Sequence, residues 1–195
     1  MNAHAHCLGL DLGLAHAGAA RLRHATTPES VRITTWHHQT PALPADAPIG
    51  QVAARIRGVA RWAVGRATTD TSLVVIEGPA YAAEYGYSHE RSAVWWLVVD
   101  QLVRHQVPVA VLPPATVKGY IAGKGNADKH AVQAAVHAAW PGRGLDRVTN
   151  HEADAAALAT AGADWLTWPG PYLEGRRGAG WLRKAHWPDP EAIRA

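Results

Sequence analysis

Three acids stand where the sequence is otherwise apolar or small. Asp11 lies inside "CLGLDLGLAHAG", Glu77 closes the run "LVVIEGP", and Asp154 lies one turn into "NHEADAAALATAGADWL". Burying an uncompensated carboxylate costs several kcal/mol. Taken singly, each has an ordinary reading: a strand-end turn for Asp11, a turn beside Gly78-Pro79 for Glu77, a helix-surface acid for Asp154. Taken together they favour a site. Three carboxylates in one dry pocket repel and do not all ionise. A divalent cation removes that conflict, and an oxygen-rich set with at most one imidazole favours Mg²⁺ or Mn²⁺. His151 precedes Asp154 by three residues, so on a helix the two share a face. His151 is then a metal ligand, a proton carrier, or a polar first-turn residue. Thr149 and Glu152 have capping-box spacing, which leaves Glu152 as a reserve ligand.

Basic and aromatic residues surround this pattern. Lys118, Lys124 and Lys129 lie within twelve residues around "GKGN". A Gly-rich break before a helix start offers N–H groups to phosphate; the alternative is a solvated loop with Gly123 as a helix C-cap. A nucleotide P-loop is excluded, because Lys124 is followed by Gly125 rather than Ser or Thr. Tyr81, Tyr85, Tyr87 and Arg91 follow the Glu77 strand. They either stack on unpaired bases or simply pack.

The elements that must position these groups can be read from periodicity. Residues 6–12 form a buried strand, and "AGAARLRHA" and "SVRITTWHH" add two more, giving an antiparallel meander. Ile49, Val52, Ala53, Ile56, Val59, Ala60 and Ala63 share one helix face. "SLVVIEGP" and "VPVAVLPP" are further strands, with an apolar helix from about 89 to 105 between them. Helices follow over 114–121, 127–139 and 151–164. Apolar strands alternating with helices indicate an α/β fold, with helices on both faces of a mixed sheet. The helix 89–105 is apolar on more than one face, including Val94, Trp95, Leu97, Val98 and Leu102. It therefore needs a second partner, either a dimer seam or its own domain.

The length of 195 residues suits one domain. The formal charge of +3 permits an anionic partner without proving one. Cys7 is the single cysteine, so no intrachain disulfide and no multi-thiolate zinc cluster can form. No apolar run reaches the ~20 residues a membrane helix needs. No basic stretch leads into an apolar one at the N-terminus. A cytoplasmic protein is expected, with no membrane association.

"GLDLG", "VVIEGP", "PPATVKGYIAGKGNADKHAVQAAV" and "NHEADAAALATA" resemble, in order and spacing, the RuvC-type Holliday-junction resolvases of the RNase H-like fold. The resemblance runs from about residue 6 to 164, and its third block is the most specific. It implies an RNase H-like five-stranded mixed sheet, with 1–164 as the nuclease domain and 165–195 as a Trp/Arg-rich C-terminal tail. It implies a homodimeric endonuclease that cuts opposed strands of a four-way DNA junction. By the same resemblance, Asp11, Glu77, His151 and Asp154 match the catalytic metal site, which holds two Mg²⁺ or Mn²⁺ ions bridged by Asp11. Lys118 and Lys129 match basic residues near the cleaved strand. Leu12 stands where the bacterial enzymes usually have proline, and "EGPAYAAEYGYSHERS" replaces their junction loop. A phage or mobile-element form, acting in the host cytoplasm, fits these departures.

Other readings compete. One is an RNA–DNA hybrid, flap or looser branched-DNA nuclease of the same fold. Another is a catalytically inactive DNA-binding module, which the full set of acids disfavours. The actin–hexokinase class also opens on an acid in a Gly-rich strand, but no hydroxyl residue follows Gly13 here.

Overall fold

The computed structural model describes residues 4–79, 88–169, 180–189 and 193. Strands β1 (His6–Asp11), β2 (His16–Arg23) and β3 (Arg32–Gln39) precede helix α1 (Ile49–Val64). Then come β4 (Thr71–Glu77), α2 (Ser88–Arg104), β5 (Val109–Leu112), α3 (Pro114–Ala122), α4 (Lys129–Ala139) and α5 (Asn150–Trp165). The sheet order is β3-β2-β1-β4-β5. The first three strands form the antiparallel meander, and β4 and β5 add parallel to β1. This is the mixed five-stranded sheet, an opening meander followed by parallel strands, that the sequence predicts.

Alternation along each strand divides the core in two. Cys7, Ala20, Leu22, Leu73 and Val75 face α3, α4 and α5. Leu8, Leu10, Ala19, Val74 and Ile76 face α1 and α2. Strands apolar on both faces need helices on both faces, and the chain supplies them.

The small residues of α5 have a specific purpose. A Cβ on Gly9 would collide with the carbonyl of Ala155, and one on Gly18 with the carbonyl of His151. A Cβ on Gly162 would collide with Cys7 and Val75. The helix therefore lies directly on β1 and β2, with no layer of larger side chains between them. Thr149 and Glu152 close the capping box at its start, worth about 1 kcal/mol. Pro114 opens α3 at its first turn, and Gly123, at φ 83°, ends it in the left-handed region. Asp128 caps α4 by accepting from the Ala131 N–H at 2.8 Å, so this helix starts at Lys129 rather than at 127.

Two apolar assignments change. Ile49 is 82% exposed, because it is the first residue of α1 and lies ahead of the turn that reaches the sheet. On α2, Val94, Val98 and Leu102 are buried, whereas Trp96 and Val103 are exposed. Trp95 leaves the outer stripe, since its indole N–H donates to the Glu77 carbonyl at 2.9 Å.

Part of the C-terminal stretch docks on the sheet domain. Trp181, in a 3-10 turn Trp181–Lys184, lies so close to α3 that a Cβ on Gly119 would collide with its ring. His186 exchanges two backbone hydrogen bonds with Val111 at 2.9 and 3.0 Å, covering the outer edge of β5. Trp187 stacks on Trp165 with centroids 4.8 Å apart. Unpaired strand edges invite unwanted pairing, and this segment covers one.

Candidate active site

Asp11 ends β1, Glu77 ends the adjacent parallel strand β4, and Asp154 lies in the first turns of α5. Parallel pairing of β1 with β4 brings the first two to one end of the sheet. The close seating of α5 on Gly9 and Gly18 brings the third. All three line one cavity of about 370 Å³, together with Arg91, Lys118 and Lys129.

The electrostatics follow from this crowding. Burial, then the charges of Asp11 and Asp154, push the Glu77 carboxyl up to about 8, against the pull of Lys118. Burial and Asp11 push Asp154 up to about 6, opposed by His151, Lys129 and Lys118. His151 Nδ1–H donates to Asp11 Oδ2 at 2.6 Å. That bond, outweighing burial, holds the imidazole above its usual range. A pocket that raises two of its carboxyls disfavours their charged forms, and a cation would relieve that. Hard carboxylate oxygens with one imidazole suit Mg²⁺ or Mn²⁺. Among the described residues, no three His, Cys, Asp or Glu side chains are gathered closely enough to form a ligand set.

Glu152 is committed elsewhere. Its carboxylate accepts from the Thr149 N–H and hydroxyl at 3.0 and 2.9 Å, and from the Thr35 hydroxyl at 2.9 Å. Burial works against it, but these bonds hold its carboxyl below the usual range. Its role is to cap α5 and tie it to β3.

Lys124 is exposed beyond Gly123 and does not line the cavity with Lys118 and Lys129. Tyr81, Tyr85 and Tyr87 lie outside the described residues. The sequence reading missed two histidines. His16 stacks 5.5 Å from His151 and His37 lies 6.0 Å from it, and His16 Nδ1 and His37 Nε2 are 3.2 Å apart in a hydrogen bond. Strand pairing puts them there: Asp11 is opposite Gly18, and Gly18 is opposite His37. The sequence marks His37 only by "WHH" in the third strand of a meander and carries no mark for His16.

The fold and pocket together define an RNase H-like α/β domain with an acidic site at the sheet's end. Among solved structures the chain resembles Thermus thermophilus RuvC, at TM-score 0.56 and 22% identity, over 85% of this chain and 99% of that one. It also resembles T. thermophilus RuvC in complex with Holliday junction substrate, at TM-score 0.59 and 23% identity, over 80% and 91% of the two chains. The yeast mitochondrial Holliday junction resolvase Ydc2 follows, at TM-score 0.54 and 12% identity, over 91% and 86%. The likeness is one of fold. No protein-family model matches the chain, and no curated protein matches it in sequence.

Proposed function

We propose that this protein is a metal-dependent endonuclease that resolves four-way DNA junctions by hydrolysing phosphodiesters in opposed strands. The observation that carries the proposal is the single cavity shared by Asp11, Glu77, Asp154, Lys118, Lys129 and Arg91. Acids without bases would repel a polyanion; here cations flank the acids, so a phosphate can be held above them. Asp11, Glu77 and Asp154 hold two Mg²⁺ or Mn²⁺ ions, with His151 completing or orienting the set. The bound ions supply Lewis acidity toward the phosphate and lower the pKa of water. His151 keeps a proton at Nδ1 against Asp11 and so orients that carboxylate. Lys118 and Lys129 position the backbone of the cleaved strand.

Two symmetric cuts call for two symmetric sites, which a two-fold dimer provides. The exposed Trp96 and Val103 of α2 form its seam. Residues 1–164 are the nuclease unit and 165–195 its C-terminal tail, of which the described Trp181, His186 and Trp187 pack on that unit. The described helices include none long and apolar enough to cross a membrane, and the proposed place of action is the cytoplasm.

The test is a cleavage assay with Mg²⁺ on four-way, three-way, flap, linear duplex and RNA–DNA hybrid substrates side by side. Paired nicks confined to the four-way junction are expected. Equal cutting of flaps or hybrids would reassign the protein to a looser nuclease of the same fold. No cutting of any substrate, with DNA binding retained, would leave a binding module.

A further inference from the structure

The sheet face opposite Asp11 carries a second cationic cluster. Arg21 of β2 and Trp36 and His38 of β3 alternate onto this side, where α1 brings Trp62, with Arg66 just beyond its end. The guanidinium of Arg66 lies 5.2 Å from the centroids of both Trp36 and Trp62, and that of Arg21 lies 5.3 Å from Trp36. His38 stacks on Trp62 at 5.0 Å. Two guanidiniums therefore share one indole.

Among the described residues no ion pair supplies this cluster with a counter-ion. The ion pairs among the described residues are Arg104–Asp100, Arg147–Asp146 and His151–Asp11, none of them in this cluster. Between residues 47 and 69 the sequence has no acid, yet it holds Arg55, Arg57, Arg61 and Arg66. The Nε atoms of Arg21 and Arg66 are buried with no hydrogen-bond partner. A purely structural role explains part of this: Arg21 Nη2 donates to the Arg66 carbonyl at 2.6 Å, closing the turn after α1. It does not explain the Arg66 guanidinium, which makes no hydrogen bond among the described residues. Cation–π contact offsets only part of the cost of placing two like charges side by side. An oxyanion offsets the rest, and a planar guanidinium matches phosphate geometry.

The shape of the charge selects the anion. Arg55 stands seven residues before Trp62 and so on the same flank of α1, a helix of 16 residues and about 24 Å long; its Nε donates to the Thr40 hydroxyl at 3.0 Å. A line of cations suits a linear polyanion better than a small ion. We infer that the Arg21–Trp36–Trp62–Arg66 cluster and Arg55 of α1 form a second DNA contact, gripping the phosphates of a duplex arm away from the acidic pocket. This rests on the nuclease reading above.

Salt titration of binding tests it, with Ca²⁺ in place of Mg²⁺ to hold the DNA uncut. The probes are four-way junctions with arms of about 20 and about 6 base pairs, titrated against wild type and Arg66→Gln. On long arms, Arg66→Gln is expected to bind several-fold more weakly and to lower the slope of log K against log salt by about 1. On short arms, the variant and wild type should converge. Equal slopes on long arms would overturn the second contact and leave Arg66 as a structural residue. Failure of the wild type to bind either junction would sink the nuclease reading itself. Should the variant not fold, ultraviolet crosslinking of the wild type to the long-armed junction decides. Crosslinked peptides carrying Trp36 or Trp62 support the contact, and crosslinks confined to other peptides overturn it.

Discussion

Asp11 and His151 are 140 residues apart in the chain and joined by a hydrogen bond of 2.6 Å. The bond forms because α5 lies on a floor of glycines, so its first turn reaches the end of β1. It makes His151 a proton-bearing partner of the most central carboxylate.

Replacing Asp11 with Asn keeps the shape and removes the charge. Junction cleavage is expected to fall by more than the roughly 10–100-fold typical of losing an outer-shell partner, while junction affinity holds or rises. Single-turnover nicking and gel-shift titration measure the two. Full activity would remove Asp11 from the site.

The raised carboxyls make metal binding proton-linked. Glu77 titrates near 8 and Asp154 near 6, so between pH 6 and 8 a cation must displace protons. Mg²⁺ affinity should rise across that range, with proton release visible by calorimetry in buffers of differing ionisation enthalpy. Metal-free stability should run the other way. The folded state holds Glu77 protonated where the unfolded chain, with a Glu pKa near ~4.3, does not. Stability is therefore lost as pH rises from about 4.3 to about 8, and Glu77→Gln should flatten that loss in urea melts.

Gly9→Ala places a methyl against the Ala155 carbonyl. Backbone cannot yield as a side-chain tip can, so about 1–3 kcal/mol of stability should be lost. Cleavage should fall too, because α5 must move away from β1 and take Asp154 with it. Denaturant unfolding and nicking rates measured together test this. A stable, fully active variant would show that the seating of α5 does not set the site.

Lys129→Ala should weaken junction binding about equally across DNA sequences and lower the salt slope by ~1. An unchanged slope and an unchanged cutting rate would make the loop before α4 a solvated connector.

Trp96→Asp puts a charge on the exposed stripe of α2. If that stripe is the dimer seam, light scattering should report a monomer at micromolar concentration, and paired nicks should become single. A wild type that is already monomeric yet cuts in pairs would refute the seam.

Much of this protein follows from the sequence alone. Near-continuous apolar runs mark β1 and β4, and a period of 3.6 marks α1. Such patterns record how far each element is kept from water. The three acids were legible for the same reason: each breaks a local pattern of burial, and a break in pattern is visible without knowing the neighbours. Ile49 misled because a helix face read from sequence does not say where the helix first touches the sheet. Tertiary structure alone decided which distant residues meet. His16 and His37 reach His151 through two strand registers, Trp181 docks over Gly119, and Arg21 and Arg66 converge on Trp36. Each meeting depends on pairing and packing between segments, which local solvent preference does not encode.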